Sequence, residues 1–343
     1  MRRRRFFALV AGAMVVASCG RVGDSADSAD SAVGRLIILE PTADGHGWGG
    51  MAGRLASVLV LAGLARSAMV VERPGALGSV PRDAFGAVRG SFVREGRLLV
   101  TAMPMVTAAE IANTAAVVDA TTPLARLVGD WTVLVVPADS RLHTFEDFAA
   151  ELRRDPAALT VGGRLEGGSD HVLYGMIGKC LGVDARLLEY AGFLAAEDAA
   201  EALQIGRVAA LLGSARALRP EIAAGRLRPL VVSSGGRLDG IDAPTLLEVD
   251  VRLEYSDWCG LLGPKGMSPA DRDAAIALCD RIDAAPRWRA LCAANEWSRV
   301  YLSGDDFRQW LLTETARTRG VLHELGLLKS SDTTCWGSCV RRP

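Results

Sequence analysis

From Arg35 onward, short apolar runs alternate with amphipathic stretches, and this alternation narrows the possible folds more than any other feature. Strands separated by helical connections cross over and line up in parallel, which is the pattern of an α/β protein. Leu36, Ile37, Ile38 and Leu39 read as a buried strand running into a glycine-rich turn at 44–50 and a helix from about 51 to 64. Residues 69–71 and 98–100 continue this first series. Residues 132–136 are strongly β-branched and end at Pro137, after which Thr144 opens a helix with Asp147 placed as in a capping box. A second series starts with a strand at 159–161, a glycine-rich turn at 162–168 and a helix from Ser169, followed by strands at 186–189, 208–212 and 230–232. Residues 258–262 read as a strand again, closed by Pro264. Beyond the N-cap Ser268 and Pro269 the pattern is helical apart from a strand-like 298–302, and it ends near Gly326. A second sheet nested inside the first explains this order.

The N-terminus reads as an address. Arg2, Arg3, Arg4 and Arg5 precede an apolar run from Phe6 to Ala17, too short for the roughly 20 residues that a spanning helix needs. Val16-Ala17-Ser18-Cys19 resembles a bacterial lipobox. Residues 1–18 are therefore expected to be a signal peptide, with Cys19 lipidated and the chain held at a membrane through acyl chains. Residues 19–34, with their Ser-Ala-Asp repeats, read as a flexible tether, and 329–343 as a flexible tail. Export makes disulfides possible. A Cys279–Cys292 bridge is expected across a helical hairpin, with Cys180 and Cys259 free; Cys335 and Cys339 lie in the tail. The four histidines show no metal spacing, so no metal or other cofactor is expected. Thirty-nine Lys and Arg against 40 Asp and Glu give a net charge of −1, and aromatics make up 6%. That balance argues against nucleic-acid binding.

Several pieces, in order, resemble the substrate-binding proteins of tripartite tricarboxylate transporters over about residues 35–328. Gly45-His46-Gly47-Trp48 resembles the Gly-Gly-Gly-Trp loop, and Arg73-Pro74-Gly75-Ala76 a Pro-Gly-Ala turn. Thr122-Pro123-Leu124-Ala125-Arg126-Leu127 resembles the segment entering the second lobe. Gly167-Gly168-Ser169-Asp170-His171 resembles the Gly-Gly-Thr-Asp-His turn, and Ala224-Gly225-Arg226-Leu227-Arg228 with the strand after it completes the set. The resemblance implies a two-lobe Venus-flytrap of the type II periplasmic-binding-protein class. Lobe 1 is expected at 35–132 plus 256–328 and lobe 2 at 133–255, each a mostly parallel sheet flanked by helices. It also implies a monomeric extracytoplasmic receptor that captures a small carboxylate and delivers it to membrane permease subunits. The chain departs from the pattern at Gly49, where the family commonly has Asp, at His46, and at Phe193-Leu194-Ala195-Ala196, where the family is richer in Gly and Ser.

Glycine-rich loops that open helices offer backbone N–H groups and a helix dipole to an anion. The expected clamp is Gly47, Trp48 and Gly49 from one lobe against Gly167, Gly168 and Ser169 from the other. Trp48 is expected as an apolar wall, Ser169 as a hydroxyl donor, and Gly168 as a position needing positive φ. Asp170 is expected as a first-turn acid, His171 as a pocket hydrogen-bonder, and Arg164 as a reader of a second carboxylate. Closure is expected at the crossings near 130–132 and 257–260. One rival is a sensor that signals to a receptor kinase with the same ligand chemistry. Another is a serine hydrolase built on Ser169, Asp170 and His171, but consecutive residues at a helix start do not place His between Ser and Asp.

Overall fold

The computed structural model describes residues 32–41, 48–73 and 91–328. The leader, Cys19, the tether as far as residue 31, Gly45 to Gly47 and the tail with Cys335 and Cys339 lie outside the described residues, while Val33 and Gly34, expected in the tether, begin the first strand. Lobe 1 begins with β1 (Val33–Glu40), which lies between β2 (Ala65–Glu72) and β3 (Glu95–Ala102) and runs parallel to both. Helix α1 (Met51–Leu61) connects β1 to β2 and buries Leu55, Val58 and Leu59 on one face. Helix α2 (Met103–Ile111) follows β3 directly and is buried on most sides, so it carries no amphipathic stripe. That is why periodicity did not mark it.

A short helix α3 (Val117–Ala120) leads into β4 (Thr121–Pro137), which the sequence showed only in its second half. At about 3.3 Å per residue, its 17 residues span roughly 50 Å, long enough to run through both lobes. Its first part pairs with β9 (Ser256–Pro264) as far as Trp131 opposite Ser256. The next residue, Thr132, pairs instead with Ser214 on β7 (Ala210–Ser214). In lobe 2, β5 (Val161–Arg164) lies between β7 and β6 (Tyr190–Phe193), parallel to both, while β8 (Leu227–Val232) pairs with β4. Strand β10 (Ser298–Ser303) pairs with the lobe-1 half of β4. The sheet is therefore mixed: the βαβ parts are parallel, and β4 meets its neighbours antiparallel because it traverses both lobes.

Helices α4 (Phe145–Arg154) and α5 (Ser169–Cys180) cover one side of the lobe-2 sheet. Helices α6 (Ala196–Gln204) and α7 (Ala215–Ala223) serve the other, over a smaller apolar cluster. The Thr144–Asp147 capping box at the start of α4 is closed in both directions. Strand β6 starts later than expected because Asp184 accepts from the Arg186 amide at 3.1 Å and winds 185–187 into a single tight turn. Helices α8 (Pro269–Ala284) and α9 (Pro286–Ala294) back lobe 1, and α10 (Gly304–Glu324) lies against both α2 and α5. The expected Cys279–Cys292 bridge is not formed. Both cysteines are free thiols in the lobe-1 core beside Ile282 and Trp288, where burial pushes Cys279 up to about 12 and Cys292 to about 11. Equal distance from a helical turn does not make two Cβ directions converge, which bridging requires. Cys180 and Cys259 are also free.

Candidate ligand-binding site

In open α/β sheets, ligands sit at the carboxyl ends of strands where the order reverses. The chain leaves β5 through α5 to reach β6 on one side, then returns through α6 to β7 on the other. The crevice at the carboxyl ends of β5 and β7 is therefore a topological switch point, and it opens onto the crossing between the lobes.

Arg164 ends β5 there. Its Nε and Nη2 donate to Asp170 Oδ2 and Oδ1, each at 3.1 Å, and its Nη1 donates to Asp257 Oδ2 at 3.0 Å. Ser169 Oγ donates to the other oxygen of Asp257 at 2.8 Å. Burial by itself weakens the Arg164 charge, but Asp170 and Asp257 outweigh it and hold the guanidinium firmly protonated. Asp257 stands opposite Asp130 in the β4–β9 ladder, and Asp130 makes a matching contact. It accepts from Ser214 Oγ at 2.7 Å and lies 3.8 Å from Arg216 Nη2. Burial raises the Asp130 carboxyl, against the pull of Ser214 and Arg216. Ser214 also caps α7 by accepting from the Ala217 amide at 3.2 Å. Each crossing strand thus carries one carboxylate tied to a serine at the start of a lobe-2 helix and lying beside an arginine. Ser233 holds the crossings together, accepting from the Thr132 amide at 2.9 Å and donating to the Tyr255 carbonyl at 2.6 Å.

The residues singled out from sequence come together in lobe 2, with corrected roles. Ser169 spends its hydroxyl on Asp257, and Arg164 lies between two carboxylates rather than free at the mouth of the cleft. The Gly167 amide donates to His171 Nδ1 at 3.1 Å and the Gly168 amide to the Leu165 carbonyl at 2.9 Å. The amides of the first turn left without a protein acceptor among the described residues are those of Ser169, Asp170 and His171. Gly168 has φ −78, so the glycine that needs positive φ is its neighbour Gly167, at +75. His171 stacks on Tyr190 with ring centroids 4.1 Å apart, and burial pushes its imidazole down to about 4.

In lobe 1, Gly49 is exposed and its carbonyl accepts from Arg54, whereas Trp48 is not a cleft wall. It is buried against Trp297 at 5.4 Å in the core, because α1 begins directly after its turn. The N-terminus of α1 is also occupied from within. Buried Glu40, at the end of β1, accepts from the Ala52 amide at 3.2 Å. Sequence reasoning passed over Glu40, Asp130, Ser214, Arg216 and Asp257 as site groups. One signal was available: Asp130-Trp131 and Asp257-Trp258 are the two Asp-Trp pairs set in otherwise apolar strands.

A groove of about 360 Å³ runs from this cluster across the lobe-2 sheet between α6 and α7. Among the described residues, no helix is long and apolar enough to cross a membrane, and no group of three or more His, Cys, Asp or Glu could hold a metal ion.

Two α/β lobes sharing crossing strands, with polar groups gathered at the crossing, define a two-lobe solute-binding protein. The chain belongs to the tripartite tricarboxylate transporter family receptors, whose family model matches residues 60–327. A ligand-free TctC solute-binding protein from Polaromonas is similar in structure at a TM-score of 0.71 and 23% identity, covering 85% of this chain and 98% of that one. A malate-bound protein from Rhodopseudomonas palustris is similar at a TM-score of 0.63 and 17% identity, covering 84% and 99% respectively. A UPF0065 protein from the gbd 5′ region of Cupriavidus necator is 24% identical over 57% of this chain and 59% of its own length. The chain spans about half the length of the curated relatives it matches.

Proposed function

We propose that this chain is an extracytoplasmic receptor that captures a small carboxylate where its lobes meet and presents it to the permease subunits of a tripartite transporter. Lipidated Cys19 would hold it at the membrane on the 19–34 tether. The observation that carries the reading is the first turn of α5, where the amides of Ser169, Asp170 and His171 have no protein acceptor among the described residues. A hydrogen bond to a charged group contributes about 1.5–3 kcal/mol, so a few such bonds account for much of the roughly 8 kcal/mol of a micromolar site. The malate-bound neighbour from Rhodopseudomonas palustris supports a carboxylate as the ligand. Ser169 and His171 support binding rather than hydrolysis, since the hydroxyl is bonded to Asp257 and His171 Nδ1 accepts from Gly167.

Calorimetry with mono-, di- and tricarboxylates tests the reading. At least one is expected to bind with a Kd of micromolar order, and failure of every carboxylate refutes it. For the anchor, Cys19→Ala is expected to move the protein out of the membrane fraction. A variant that matures normally and stays membrane-bound rules out lipidation.

A further inference from the structure

The groove between α6 and α7 has two unlike ends. Its walls are apolar, formed by Phe193, Ala199, Leu203, Leu211 and Leu218. It stays open because α6 presents alanines at 196, 199 and 200, too short to close against Ala217 of α7. At the far end, Arg226 and Glu221 satisfy each other. At the crossing end, Arg164 is held by Asp170 and Asp257, and Asp130 by Ser214. Arg216 is the exception. Its Nε is buried with no hydrogen-bond acceptor among the described residues, and its nearest carboxylate oxygen is 3.8 Å from Nη2. The side chain is 37% exposed, so a guanidinium donor with no acceptor at Nε can reach an anion in the groove. Here it stands at the head of an apolar groove of small-molecule size.

We infer that the ligand is a monocarboxylate with an apolar alkyl or aryl body, its head on Arg216 and its body along the groove between α6 and α7. This rests on the receptor reading above, but seats the carboxylate on Arg216 in place of the α5 amides, which do not line the groove. A polar dicarboxylate such as malate would leave the groove walls facing water. An alkyl chain would remove them from water, with affinity rising about fourfold for each methylene buried. Phe193, Leu194, Ala195 and Ala196 supply one side of the wall.

The test is calorimetry on the folded chain with butyrate, hexanoate, octanoate, benzoate and malate. Affinity is expected to rise steeply from butyrate to octanoate and to exceed that for malate. Arg216→Ala is expected to weaken every monocarboxylate at least tenfold. Ala217→Leu, at an exposed helical position lining the groove, is expected to weaken octanoate at least tenfold while leaving butyrate within twofold. Malate binding tightly while the alkyl series stays flat would overturn the inference and leave the receptor reading standing. An octanoate site indifferent to both substitutions would also overturn it. If no monocarboxylate binds, the inference falls, and the receptor reading falls with it only if the di- and tricarboxylates of the wider panel fail as well.

Discussion

Burial holds the His171 imidazole down to about 4, against an ordinary 6.5, so it is neutral at pH 7. Because Nδ1 accepts from the Gly167 amide, the ring proton is assigned to Nε2. Between pH 6.5 and 4 the unfolded chain takes up a proton that the folded chain refuses, so stability falls as pH falls through that window and levels off below it. The loss comes to about 3 kcal/mol. Urea denaturation at pH 7 and pH 4 is expected to show a component of this size that disappears in His171→Asn. A wild-type pH dependence matched by the variant would contradict the assignment. The Gly167 to His171 loop was visible in the sequence as a site, but its polar partner was not. Asp257 lies 88 residues from Ser169, and no local spacing connects them.

At the scale of elements, α5 depends on how closely α10 approaches it. A Cβ on Gly175 would stand 2.7 Å from Val321 Cγ1 and 3.1 Å from Leu325 Cδ1. Gly175→Leu is expected to cost about 1–3 kcal/mol by overpacking. On α10 itself, Gly320 is exposed with nothing within 4 Å of an added Cβ, so Gly320→Ala is expected to stabilise by about 0.5–1 kcal/mol through helix propensity. Thermal unfolding of the two variants should move in opposite directions. The helix starts at Thr144 and Ser268 were legible because a cap joins residues only three apart in the chain. Helix α2 was not, since burial on most sides erases the periodicity that reveals a surface helix.

For the molecule as a whole, the crossing decides how the lobes relate. Ser233 joins the two crossing strands through one hydroxyl, and Ser233→Ala would strand the buried Thr132 amide. The expected cost is about 1–3 kcal/mol, with faster hydrogen exchange at the Thr132 amide than in lobe-core strands. Unchanged exchange there would show that the crossing does not depend on this serine. Away from the crossing, α10 seats Phe307 and Leu311 in an apolar cluster that also holds Met103 of α2 and Val172 and Tyr174 of α5. Any relative motion of the lobes must shear this contact or pivot about it.

The sequence alone determined the α/β class, the two βαβ series and the glycine-rich turn at 162–168 that opens α5 at the crevice. These depend on periodicity, capping and turn chemistry, which act over a few residues. Only the tertiary structure decided which polar groups are already satisfied. It spent Ser169 and Arg164 on Asp257, gave the α1 N-terminus to Glu40, buried Trp48 against Trp297 and, among the described residues, left the Arg216 Nε without an acceptor. Hydrogen-bond satisfaction depends on which groups the fold brings within about 3 Å of each other, and chain spacing carries no information about partners 88 or 101 residues apart.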